Sequence, residues 1–72
     1  MTTPDLTSNI IGNKIRGFRL KKGISQDRLS KLTDLSLNTI VKIEAGKNNN
    51  PTIQTLIRIA ASLDVRLGDL IW

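Results

Sequence analysis

The chain has 72 residues, net charge +5, 39% hydrophobic residues, no cysteine or histidine, and only Phe18 and Trp72 as aromatics. A chain this short holds one small core and little room for a deep substrate pocket. Without cysteine there is neither a disulfide framework nor a thiolate metal site. No apolar run approaches a membrane span, and the polar, proline-containing start does not read as a signal peptide. These features predict a cytoplasmic protein with no cofactor, no metal and no membrane partner.

The charge is uneven. Residues 1–50 hold nine Lys/Arg and four acids, and residues 51–72 hold two of each. Between Lys14 and Lys31, seven basic residues meet only Asp27. A one-sided positive field points to a polyanion, most often nucleic acid, although a solvated basic surface is the bland alternative.

In chain order, residues 1–7 read as a flexible arm and residues 8–72 as one domain. Ser8 is the expected cap of a first helix whose apolar positions Ile11, Ile15 and Phe18 share a face. Gly12 and Gly17 each weaken that helix by roughly 1 kcal/mol relative to alanine. Gly23 ends it, with Lys21 and Lys22 in the last turn to suit the helix dipole. Ser25 then caps a second helix, about 25–33. Asp27 lies in its first turn, Ile24 and Leu29 form a hydrophobic staple, and Leu32 continues the apolar face.

The same grammar repeats at once. Leu35 precedes the cap Ser36, Ile40 occupies the fourth helical position, and Gly46 closes a third helix, about 36–45. Two staples joined by so short a link force a sharp change of direction. After the loop Lys47–Pro51, Thr52 caps a fourth helix with an expected buried stripe of Ile53, Leu56, Ile57, Ala60 and Leu63. Leu67, Leu70 and Ile71 form a last apolar turn. No stretch alternates with period two for long enough to form a strand. The fold class is therefore all-α, a single compact five-helix domain.

Turning about 100° per residue along the third helix, Ile40 and Ile43 face the core. The opposite side presents Asn38, Val41, Lys42 and Ala45, with Leu37 and Glu44 on the border. Asparagine can bond adenine bidentately, lysine can donate to guanine, and leucine or valine can touch a thymine methyl. A merely solvated face more often carries Glu/Lys pairs. A DNA-reading face is the better account.

At this point the sequence resembles the lambda repressor/Cro-like, or XRE-type, helix-turn-helix family from Ile11 to about Ile71. The residues that carry the resemblance are "IGNKIRGFRLKKGISQDRLS", "LSLNTIVKIEAGK" and "PTIQTLIRIAASLDV". The likeness implies base contacts from Ser36, Leu37, Asn38 and Lys42. It implies phosphate contacts from Ser25, Gln26, Thr39, Lys47, Asn48, Asn49 and Asn50, with Gln26 also bracing the reading helix. Arg19 and Glu44 match a partly buried ion pair between the first and third helices. Four positions depart from the pattern. Asp34 and Asp64 replace glycines at helix ends, Ser30 replaces an alanine and needs a partner for its hydroxyl, and Leu37 replaces a polar base reader.

The expected function is a sequence-specific, double-stranded DNA-binding transcriptional regulator, acting as a homodimer on a near-palindromic operator. Leu70, Ile71 and Trp72 are the expected dimer contact, because a terminal tryptophan on an apolar turn makes a good anchor. The alternative is a protein-binding adaptor or antitoxin-type partner that keeps the same fold, with a toxin or polymerase as protein partner. Catalysis is not expected. The six carboxylates (Asp5, Asp27, Asp34, Glu44, Asp64, Asp69) form no motif, and no glycine-rich phosphate cradle is present.

Overall fold

The computed structural model describes residues 6–47 and 51–72, with side chains from Ile10 onward. Within them lie five helices and no strand: α1 (Leu6–Lys22), α2 (Gln26–Thr33), α3 (Leu37–Glu44), α4 (Ile53–Ser62) and α5 (Leu67–Ile71). The Asn48–Asn50 loop and residues 1–5 lie outside the described residues. The first helix starts at Leu6, so Ser8 falls inside it and does not cap it.

Each helix sends one aliphatic side chain to the centre. Ile15, Leu29, Ile40, Ile59 and Leu70 are all 0% exposed. Burying each side chain stabilises the fold by roughly 1.5–3 kcal/mol before entropy is charged against it. Around this centre α1 packs on α3 and α5, α2 on α3 and α4, and α4 on α5. The α1–α3 contact is close enough to exclude a side chain. A β-carbon at Gly12 would lie 2.3 Å from the Ile43 carbonyl oxygen and 2.9 Å from that of Glu44. Gly12 is therefore a packing requirement as well as a weak helix former.

The caps expected for α2, α3 and α4 are present. The side-chain oxygens of Ser25, Ser36 and Thr52 accept the backbone N–H groups of Arg28, Thr39 and Thr55 at 3.0–3.1 Å. At the other ends, four helices stop in the same way. The residue after the last turn takes a left-handed conformation, and the following N–H bonds back to a carbonyl five residues earlier. Ile24 bonds to Arg19, Leu35 to Ser30, Lys47 to Lys42 and Val65 to Ala60. Gly23 and Gly46 supply the left-handed residue for α1 and α3. Asp34 (φ 60°) and Asp64 (φ 58°) supply it for α2 and α4, at a steric cost that glycine would not incur.

Three expectations about burial are corrected. On α4 the buried stripe is Leu56, Ile59, Ala60 and Leu63, while Ile53 and Ile57 are 58% and 50% exposed. Both stripes obey helical spacing, and α4 is apolar around much of its circumference, so periodicity alone left its rotation open. On α2, Leu32 is exposed and Thr33 is buried in its place. Thr33 tolerates this because its hydroxyl donates within the helix, to the Leu29 carbonyl at 2.8 Å or that of Ser30 at 3.1 Å. Finally, Leu70 is wholly buried beneath α5 and is not available as a dimer contact.

Candidate nucleic-acid interface

The third helix is held from behind and open in front. Ile40 and Ile43 anchor it in the core, and Leu35 packs against that core just before the Ser36 cap. The staple and cap together fix where α3 begins and which way it points. On the outer side Leu37, Asn38, Val41, Lys42 and Ala45 are exposed, and Thr39 is half-buried. The face inferred from helical geometry is the face that the fold leaves free.

Glu44 supplies the second anchor. Although charged, it is buried, and its two oxygens take three donors. Arg19 Nε reaches Oε2 at 2.7 Å, Arg19 Nη2 reaches Oε1 at 3.0 Å, and Gln26 Nε2 reaches Oε1 at 3.1 Å. The remaining guanidinium nitrogen, Nη1, donates to the Ile24 carbonyl at 2.9 Å. The bidentate Arg19–Glu44 pair ties α1 to the last turn of α3, and Gln26 adds the first turn of α2 to the same carboxylate. Such a cluster compensates the cost of taking two charges out of water only while every partner remains.

Gln26 thereby has a definite structural task, bracing α3 through Glu44. Its amide nitrogen carries two hydrogens, one of which goes to Glu44. The caps are similarly committed. The Ser36 and Thr39 hydroxyls lie 2.8 Å apart and share a hydrogen bond, while Ser36 also accepts the Thr39 N–H. Ser25 is exposed and keeps its hydroxyl hydrogen after accepting the Arg28 N–H. Lys47 is exposed immediately beyond the Gly46 turn. Ser30 meets the need created by its hydroxyl, donating to the Asp27 carbonyl one turn back at 2.6 Å.

The structure thus gathers Ser36, Leu37, Asn38 and Lys42 at the N-cap and first two turns of α3. Ser25, Gln26, Thr39 and Lys47 lie at the ends of α2 and α3. Two exposed side chains join them. Val41 follows Leu37 at i+4, and Arg28 stands in the first turn of α2 beside Ser25. Helical projection already placed Val41 outward, whereas Arg28 carries no local signal that separates it from other surface cations. Three basic residues elsewhere have other partners. Lys22 pairs with Asp64, Lys31 pairs with Asp27 at 3.1 Å, and Lys14 donates to the Trp72 carbonyl. No helix among the described residues is long and apolar enough to cross a membrane.

Two short capped helices, joined by a tight left-handed turn and sharing a buried brace, with the second open to solvent, define a helix-turn-helix DNA-binding domain. The chain belongs to the HTH_3 helix-turn-helix family, which matches residues 15–70. It is 38% identical to the HTH-type transcriptional regulator SlrR of Bacillus subtilis over 61 residues, 85% of this chain and 40% of SlrR. The fold superposes on an HTH_3 family transcriptional regulator from Vibrio cholerae with a TM-score of 0.86 and 31% identity, over 94% of this chain and 38% of that one. It also superposes on the restriction-modification controller protein C.AhdI from Aeromonas hydrophila with a TM-score of 0.83 and 28% identity, over 94% of this chain and 98% of that one. The chain therefore spans about two fifths of SlrR but nearly the whole of C.AhdI. Its relatives are transcriptional regulators, and the family is a DNA-binding one, not a family of enzymes.

Proposed function

We propose that this chain is a sequence-specific, double-stranded DNA-binding transcriptional regulator that works as a homodimer on a near-palindromic operator. One observation carries the proposal. The side of α3 bearing Leu37, Asn38, Val41 and Lys42 is exposed, while Ile40, Ile43 and Glu44 lock the opposite side against α1 and α2. A helix so fixed presents its outer groups in one orientation, as base reading requires.

In this reading Ser36, Leu37, Asn38 and Lys42 face base edges. Ser25, Gln26, Thr39 and Lys47 set the register on phosphates, joined by the Asn48–Asn50 loop. Two copies on one face of the duplex would place their reading helices about 34 Å apart, one DNA turn. Trp72, 88% exposed at the end of α5, and the half-buried Ile71 beside it are the proposed dimer contact. C.AhdI, matched over almost its full length, is a restriction-modification controller protein, which supports a regulatory role for this fold.

Selection of preferred duplexes from a random pool, followed by a salt titration on the enriched sequence, tests the proposal. A two-fold repeated motif is expected, with affinity falling steeply as salt rises. Failure to bind duplex DNA at low salt would rule it out.

A further inference from the structure

The outer face of α3 is divided into two parallel rows. Asn38 and Lys42 form a polar row, and one residue over, Leu37, Val41 and Ala45 form an apolar one. Leu37 and Val41 are 43% and 40% exposed. Scattered apolar residues on a surface need no explanation. These two are not scattered, because they follow each other at i, i+4 on the leading turns and adjoin the two side chains best suited to bond bases.

Resting on the DNA-reading assignment above, we infer that this apolar row reads the C5 methyl groups of pyrimidines in the major groove. Thymine carries such a methyl beside its O4 acceptor, and 5-methylcytosine carries one at the same place. Four residues of helix advance about 6 Å. Successive base pairs lie about 3.4 Å apart, so Leu37 and Val41 meet methyls just under two base-pair steps from each other. Asn38 and Lys42 then bond the neighbouring purines. Charge favours DNA over a protein helix as the occupant. The only carboxylate on α3, Glu44, is buried, and Lys42 and Lys47 flank the row. Since the apolar row senses a methyl and not the exocyclic group beside it, 5-methylcytosine satisfies it as thymine does. Operator binding therefore responds to cytosine methylation at those positions.

The test uses two pools of the same random duplexes, one containing thymine and the other uracil, which lacks only that methyl. Selection from the thymine pool should enrich thymine at two positions about two steps apart in each half-site, and selection from the uracil pool should not. In the best thymine duplex, a single thymine-to-uracil change at either position should weaken binding about fourfold, the effect of one buried methyl-sized group. Leu37→Ala should abolish the penalty at one position and Val41→Ala at the other. Both residues are exposed, so the variants should melt within a few degrees of the parent. Cytosine at either position should bind more tightly once methylated. Equal affinity for thymine and uracil duplexes overturns the inference while leaving DNA binding intact, as does a uracil penalty that persists in both alanine variants. No binding to any duplex removes the functional proposal and this inference together.

Discussion

Gly12 of α1 lies against the backbone of Ile43 in α3, so near that its missing β-carbon would overlap the Ile43 carbonyl oxygen at 2.3 Å. Five residues further along the same helix, Gly17 has nothing within 4 Å of that position. Two glycines that look alike in the sequence therefore predict opposite outcomes. Gly17→Ala should stabilise the fold by about 1 kcal/mol through helix propensity. Gly12→Ala should destabilise it by about 1–3 kcal/mol, because α1 and α3 must separate. Urea denaturation of the two variants against the parent decides the matter, and a similar shift in both would contradict the close approach.

The Arg19–Glu44–Gln26 cluster makes the second prediction. Arg19→Met alone leaves a buried carboxylate without its main partner and should cost about 3–5 kcal/mol. The double variant Arg19→Met, Glu44→Leu removes both charges and should recover much of that loss. Gln26→Ala deletes one hydrogen bond to a charged group at a half-buried site and should cost about 1–2 kcal/mol. A double-mutant cycle read by chemical denaturation isolates the coupling. A double variant as unstable as the sum of the two single variants would show that the pair does not act as a unit.

Helix ends make the third. Asp34 and Asp64 both occupy left-handed backbone at about the same φ, which costs a non-glycine residue on the order of 1–2 kcal/mol. Asp34→Gly should therefore be net stabilising by about 1 kcal/mol, a rise in Tm of roughly 4–8 °C for a domain of this size. Asp64→Gly should gain less, because Asp64 also pairs with Lys22 at an exposed site, where such pairs are worth at most about 1 kcal/mol. Thermal melts of the two variants should rank in that order.

What the sequence could reveal depended on how local the cause was. Caps, staples and helix ends are written in neighbouring residues, so Ser25, Ser36, Thr52, Gly23 and Gly46 located α2, α3 and the turns around them. The outer face of α3 followed from short-range geometry in the same way, since two buried isoleucines fix the rotation of an eight-residue helix. The rotation of α4 did not follow, because Ile53, Ile57 and Ile59 satisfy two stripes equally and only the packing of α2 and α5 chooses between them. Gly12 was legible as a weak helix former and not as a contact, because its partner lies 31 residues away. Leu70 and Trp72 are two residues apart yet differ completely in exposure, a distinction made by where α5 meets the core.

That contrast at the end of the chain yields the fourth prediction. Leu70→Ala should cost about 2–5 kcal/mol of stability, as expected for emptying a fully buried site. Trp72→Ala should leave the unfolding of the monomer nearly unchanged and shift the monomer–dimer equilibrium toward monomer. Sedimentation velocity over a concentration series measures the second effect. Unchanged self-association after loss of the indole would exclude Trp72 from the proposed dimer contact.

Base reading and phosphate binding should separate cleanly between Asn38 and Lys47. Asn38 lies on the outer face of α3, where an amide can bond an adenine edge at two points, so Asn38→Ala should cost about 1–3 kcal/mol on the preferred duplex. It should cost little on a duplex already altered at that base pair, because the contact is specific. Lys47, exposed just past the Gly46 turn, offers a point charge that reads no sequence. Lys47→Ala should weaken preferred and random duplexes alike and lower the salt slope by about one, as expected for one lost phosphate contact. Fluorescence anisotropy on both duplexes across a salt series resolves the two behaviours. An Asn38→Ala variant with unchanged base preference would mean that α3 approaches the groove with a different edge.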